Sequence, residues 1–176
     1  MFFEHYKLLS IIFSYPEDEK LITESSEKLG ELSEELQKID EFAEFITSSS
    51  LAEIQEVYVE TFDLQPIIIP YISHHIFGES YRKGEYMVRL NEIYRQNSFV
   101  PSVNELPDHI AVVSEFLSIS RENRNEFIST VMSGIKKMVE NIEEKNTPYK
   151  QPVLLFYRLC SIEFSEFEEV IECSTC

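Results

Sequence analysis

Apolar residues recur every three to four positions along most of this chain, the spacing that puts them on one face of a helix. The opening stretch, MFFEHYKLLSIIFSYP, is apolar but carries Glu4 and lacks a basic start, so it reads as a buried first helix rather than a signal peptide. Leu29, Leu32, Leu36, Ile39, Phe42, Phe45 and Ile46 share one face and predict a single long helix. Ser50–Leu51–Ala52–Glu53 has the capping-box spacing and starts a helix that buries Ile54, Tyr58 and Phe62. The segment DLQPIIIP, residues 63–70, breaks it with two prolines and predicts an apolar linker through the core. Beyond Gly78, Tyr86, Met87, Leu90, Ile93 and Tyr94 share a face, with Glu85 and Arg89 spaced as an i,i+4 pair on another. QNSFVPSVN is a loop, and the next helix is predicted from about Pro107, burying Ile110, Val113, Phe116 and Leu117. The stripe Phe127, Ile128, Val131, Met132, Ile135, Met138, Val139 and Ile142 follows. A last apolar helix carries Leu155, Phe156, Leu159 and Cys160 and runs into an acidic tail.

The pattern predicts an all-α fold: a single compact bundle of roughly eight to ten helices, one domain over residues 1–176, with a candidate seam at 63–70. Composition agrees. Four glycines in 176 residues are too few for phosphate-cradling loops or a turn-rich sandwich. No apolar run approaches the ~20 residues of a membrane span, so direct membrane insertion is not expected. Three cysteines do not make a disulfide framework, which points to the cytoplasm.

Charge narrows the function. The net charge is −17, and residues 1–60 hold 15 acids against 4 bases. Such a surface repels phosphate backbones, which excludes nucleic acid, and attracts basic partners. Solubility alone would also account for it.

Candidate chemistry is sparse. There is no G-x-S-x-G elbow for nucleophilic catalysis. The histidines are His5, His74, His75 and His109, with no H-E-x-x-H or E-x-x-H spacing. The terminal CSTC, with Cys173 and Cys176, supplies half of a zinc or redox motif. Carboxylate pairs are too abundant to be diagnostic. One corner stands out: NELPDHIAVV, residues 104–113. A proline and an acid in a first helical turn are accounted for by the missing N–H and the helix dipole, which explains Pro107 and Asp108 structurally. Glu105 and His109 are left over. Two other functions stay open on the residues alone: a metal- or thiol-dependent enzyme built on His74, His75, His109, Cys173 and Cys176, or a generic acidic helical adaptor.

Residues 58–118, YVETFDLQP through IPYISHHIFGESYRKGEYMVRLNEIYRQNSFVPSVNELPDHIAVVSEFLS, resemble the TorD/DmsD/NarJ family of redox-enzyme maturation chaperones, most closely its NarJ branch. LLSIIFSYPEDE is similar to that family's opening helix and Tyr-Pro stop. The family's E-P-x-D-H signature falls on Glu105, Leu106, Pro107, Asp108 and His109, with Leu106 in the second position and the proline one place along. The resemblance implies an all-helical chaperone without catalytic activity. No cofactor is expected, and the proline-bracketed seam leaves monomer or dimer open. The resemblance also implies binding of the N-terminal or leader segment of a molybdopterin oxidoreductase's catalytic subunit until the cofactor is inserted. Tyr58 and Phe62 match the family's helix aromatics. With Ile69 and Tyr71 they are the expected peptide anchors. Glu105 and Asp108 are expected to face basic guest side chains, with Pro107 shaping the corner and His109 hydrogen-bonding there.

Overall fold

A computed structural model describes the chain except residues 65, 122, 123, 175 and 176, with side-chain surroundings described as far as residue 165. The described residues form nine helices: α1 Phe3–Ile12, α2 Glu19–Ser33, α3 Asp40–Ser48, α4 Leu51–Phe62, α5 Ile72–Phe77, α6 Arg82–Gln96, α7 Ile110–Ile119, α8 Arg124–Ile142 and α9 Lys150–Ser174. The all-α expectation and the helix number hold, and no named strand occurs among them.

The N-terminal segment is a buried helix as expected. Tyr6, Leu9 and Ile12 of α1 turn inward, chiefly onto α7, which is apolar nearly all round. A helix buried on all sides needs partners on all sides, and α7 therefore forms the spine. The Ser50–Glu53 capping box starts α4: Glu53 accepts the Ser50 N–H at 2.8 Å. Of the α8 stripe, Phe127, Ile128, Val131, Ile135, Met138 and Ile142 are buried, and Met132 and Val139 pack partly buried against them.

Three local expectations fail. The face running from Leu29 to Ile46 is two helices. α2 ends at Ser33, whose carbonyl takes the N–H groups of Leu36 and Gln37, and the chain turns before α3. The break lets Ile39 and Phe42 both reach the core, with the Phe42 N–H donating to Gln151 Oε1 at 3.1 Å on α9. Arg89 pairs not with Glu85 but across to Glu126 on α8, at 3.5 Å. And α7 begins at Ile110, three residues beyond Pro107, because His109 is its cap.

Two close approaches set where α5 lies. Gly134 of α8 faces it: a Cβ there would sit 2.5 Å from Ile72 Cγ2 and 2.8 Å from the Ile72 carbonyl oxygen. Only a glycine lets the two backbones meet so closely. The 63–70 linker carries the buried Ile68 inward, and beyond it Tyr71 forms an isolated antiparallel bridge with His109.

At the other end of the molecule Arg124 and Glu163 form a buried pair. Arg124 Nε and Nη2 donate to the two Glu163 oxygens at 2.5 and 2.9 Å. Arg124 Nη1 also reaches the carbonyls of Leu117 and Ser120, and the Phe2 N–H donates to Glu163 Oε1 at 3.1 Å. One ion pair thereby ties α1, α7, α8 and α9. Four of the five Arg124 N–H groups and both Glu163 oxygens thus have partners, the hydrogen bonding a buried charge requires.

Candidate functional site

The corner 105–109 is fixed by hydrogen bonds on every side. The Ile72 N–H donates to the Asp108 carbonyl at 3.0 Å and the Ile110 N–H to the Pro70 carbonyl at 2.9 Å. The Tyr94 hydroxyl donates to the Pro107 carbonyl at 2.7 Å. Asp108 has no exposed surface, and its Oδ2 accepts the Ser73 N–H at 2.9 Å. Asp108 therefore does not face a guest. A carboxylate so placed satisfies a backbone donor at the start of α5. The dipole of the helix next to it in sequence is served instead by His109, whose Nδ1 accepts the Ala111 N–H at 3.2 Å. That bond requires the proton on Nε2. Burial holds the His109 imidazole down to about 4, so it is neutral near pH 7.

Of the signature's charged and ring-bearing side chains Glu105 turns outward, beside the exposed Leu106. Glu105 Oε2 accepts the Tyr71 hydroxyl at 3.1 Å, and the Tyr71 ring stands edge-on to His109 at 5.3 Å. Burial and the neighbouring Glu105 charge push the Tyr71 phenol up to about 12.

The expected anchors divide. Tyr58 is nearly buried, donates to the Phe13 carbonyl at 3.0 Å, and keeps an edge on the surface cavity it shares with Glu105 and His109. Burial, with Asp63 and Glu105 nearby, pushes its phenol up. Phe62 packs inside against Phe13 and Tyr149 and does not reach that cavity. It is a core residue because the inward face of α4 packs on Phe13, the cap of α1, and on Tyr149. Ile69 is half-buried and uses its carbonyl to accept His75 Nε2–H at 2.8 Å. Pro107 backs the corner and presents its carbonyl to Tyr94.

Two adjoining cavities, of about 430 and 280 Å³, make one groove between the end of α1, the start of α2 and residues 102–111. Either volume is near the low end of the ~300–1,000 Å³ of small-molecule pockets, room for side chains of a docked segment. Both are lined by Ser14, Tyr15, Glu17, Ser102, Val103 and Ala111. The lining includes Glu17, Asp18, Glu105 and Glu115 and no Lys or Arg. Tyr15, Glu17, Leu21, Val103 and Glu115 were not among the residues expected there. The Tyr-Pro stop of the opening helix was the available signal: Pro16 ends α1 and leaves Tyr15 half-exposed, edge-on to Tyr58 at 5.6 Å.

Among the described residues, those of the expected metal or thiol centre are not assembled. His75 is used twice, donating to Ile69 and accepting from Asn141 Nδ2 at 3.1 Å, and His109 is a helix cap. Among the described residues no group of three His, Cys, Asp or Glu could hold a metal. The side chain of Cys173 and all of Cys176 lie outside the described residues. No helix among the described residues is long and apolar enough to cross a membrane.

The family model described as nitrate reductase delta subunit matches residues 29–151, from the end of α2 through the linker and the corner to the start of α9. The chain belongs to the nitrate reductase delta subunit family. Within this family it is similar to the Bacillus subtilis (strain 168) protein named "Probable nitrate reductase molybdenum cofactor assembly chaperone NarJ": 25% identical over 177 residues, 95% of this chain and 92% of that protein. It is also similar to the "Nitrate reductase-like protein NarX" of Mycobacterium tuberculosis, 26% identical over 153 residues. That match takes in 82% of this chain but only 22% of NarX. The fold matches the crystal structure of an Archaeoglobus fulgidus protein described as a redox enzyme maturation protein. The TM-score is 0.66 at 27% identity, covering 92% of this chain and 94% of that one. These likenesses place the delta-subunit-type chain on the NarJ-like side of the maturation-chaperone family.

Proposed function

We propose that this delta-subunit family member is an assembly chaperone for a molybdopterin-containing oxidoreductase. It binds the N-terminal or leader segment of the catalytic subunit and holds it, in the cytoplasm, until the cofactor is in place. The observation that carries the reading is the groove: four carboxylates, no lysine or arginine, and half-exposed aromatic and aliphatic side chains between them. Such a surface suits a basic amphipathic segment, with apolar area for affinity and charge for steering. Tyr58, Glu105 and His109 line its polar end in this reading, Tyr71 holds Glu105 there, and Pro107, Asp108 and Ile69 support it from behind. No bond is made or broken. The chain acts by occupying the segment.

The test is co-purification. The tagged chain is recovered from its own host and its companions are identified by mass spectrometry. The expected companion is a molybdopterin oxidoreductase large subunit lacking its cofactor, lost when that subunit's N-terminal segment is deleted. Recovery of an unrelated partner, or of a large subunit indifferent to that deletion, would overturn the proposal.

A further inference from the structure

The groove is not uniform along its length. Towards α2 its walls are aliphatic: Ile11, Leu21, Ile22 and Val103. Two of the three carboxylates at this end are already engaged by backbone. Asp18 Oδ1 accepts the Leu21 N–H at 2.9 Å, and Glu115 accepts the Ser102 N–H through both oxygens at 3.2 and 3.0 Å. Yet Leu21 is 48% exposed, a large aliphatic side chain with one side open. Towards the signature corner the walls become polar: Tyr58, Asn104, Glu105 and His109. Here Glu105 uses one oxygen on Tyr71, and Glu17, shared by both ends, makes no hydrogen bond or ion pair among the described residues. His109 adds no positive charge, since its ring is a neutral helix cap. Tyr15 stands between the two ends and lines both.

Resting on the peptide-binding reading above, we infer that the groove is polarised: an apolar anchor of the guest seats on Ile11, Leu21 and Val103, and a cation of the same segment seats between Glu17 and Glu105, on the other side of Tyr15. Charge complementarity names the occupant. A free-standing apolar segment would leave Glu17 and Glu105 unanswered, and a uniformly basic one would leave Leu21 open to water.

The probe is a fluorescein-labelled 15-residue synthetic peptide with leucines in one half and three arginines in the other. It is titrated against the full chain by polarisation, beside versions with the leucines changed to alanine or the arginines to glutamine. Leu21→Ala and Glu17→Gln/Glu105→Gln involve exposed side chains, and circular dichroism checks that the variants remain folded. Each weakens binding of the parent peptide about tenfold, the size of a modest interface hot spot. In double-mutant cycles the Leu21 effect disappears with the alanine peptide only, and the carboxylate effect with the glutamine peptide only. Equal coupling in both cross-combinations, or no binding of the parent peptide by the wild-type chain, overturns the inference. So does a stable dimer in sedimentation that the peptide dissociates, because the groove's occupant would then be a second copy. None of these outcomes touches the co-purification result, which decides the chaperone reading by itself.

Discussion

Asp108 is where signature and structure disagree most usefully, and two substitutions separate their claims. Its side chain is fully buried, Oδ2 takes the Ser73 N–H at 2.9 Å, and Oδ1 has no partner among the described residues. Asp108→Ala removes the acceptor and leaves a buried N–H orphaned. A hydrogen bond to a charged group contributes about 1.5–3 kcal/mol, and the small cavity adds a little, so the loss should be about 2–3 kcal/mol. For a chain of this size that lowers the melting midpoint by roughly 4–12 °C. Asp108→Asn keeps an acceptor for Ser73 and removes a charge whose second oxygen is unsatisfied. The two changes oppose one another, and the net cost should be no more than about 1 kcal/mol. Urea titrations followed by circular dichroism give both values. The arginine–leucine peptide, measured below either transition, should bind both variants within about twofold of wild type. An alanine variant with wild-type stability and tenfold weaker peptide binding would refute the reasoning and return Asp108 to the guest.

Three other outcomes follow from packing and charge. Gly134→Ala should destabilise by about 1–3 kcal/mol despite alanine's better helix propensity, because its Cβ meets the Ile72 backbone oxygen; a more stable variant in urea would show that α5 can shift. Glu163→Gln should cost about 3–5 kcal/mol by leaving Arg124 charged and buried, whereas Arg124→Met/Glu163→Leu should recover most of it; equal urea midpoints for the single and double variants would contradict this. His109 titrates near 6.5 when unfolded but only near about 4 when folded. The unfolded state therefore binds the proton first, and stability falls as pH drops through that window, by about 3 kcal/mol at most. Comparing wild type with His109→Asn, which keeps a capping oxygen, isolates the effect; parallel stability–pH curves would rule it out.

Helix identity was legible because burial repeats it along the chain. α8 needs only its own stripe to be recognised, and α4 only its stripe and its capping box. What was not legible depended on partners far away in sequence. Residues 29–46 keep a helical spacing through the turn at 34–39, and only Gln151, on α9, reveals where that face is interrupted. Glu85 and Arg89 satisfy the local pairing rule, but Glu126 lies nearer in space. The site followed the same logic. Its aromatic and acidic character could be read from Tyr58, Tyr71 and Glu105. Its walls could not, because Tyr15, Leu21 and Glu115 meet Val103 only once α1 has been laid on α7.

The signature corner resolves this split. Of its residues, Pro107, Asp108 and His109 all bond inward: to Tyr94, to the start of α5, and to the start of α7. A five-residue turn that caps one helix, receives another and bridges to Tyr71 has little freedom left, so the direction of Glu105 is a consequence of the others. A signature of this kind does not have to touch a guest to be required for binding one. On the proposed reading it fixes one carboxylate on the groove's polar rim, and the rest of the chain's acidity, densest over residues 1–60, only has to bring a basic segment near enough to find it.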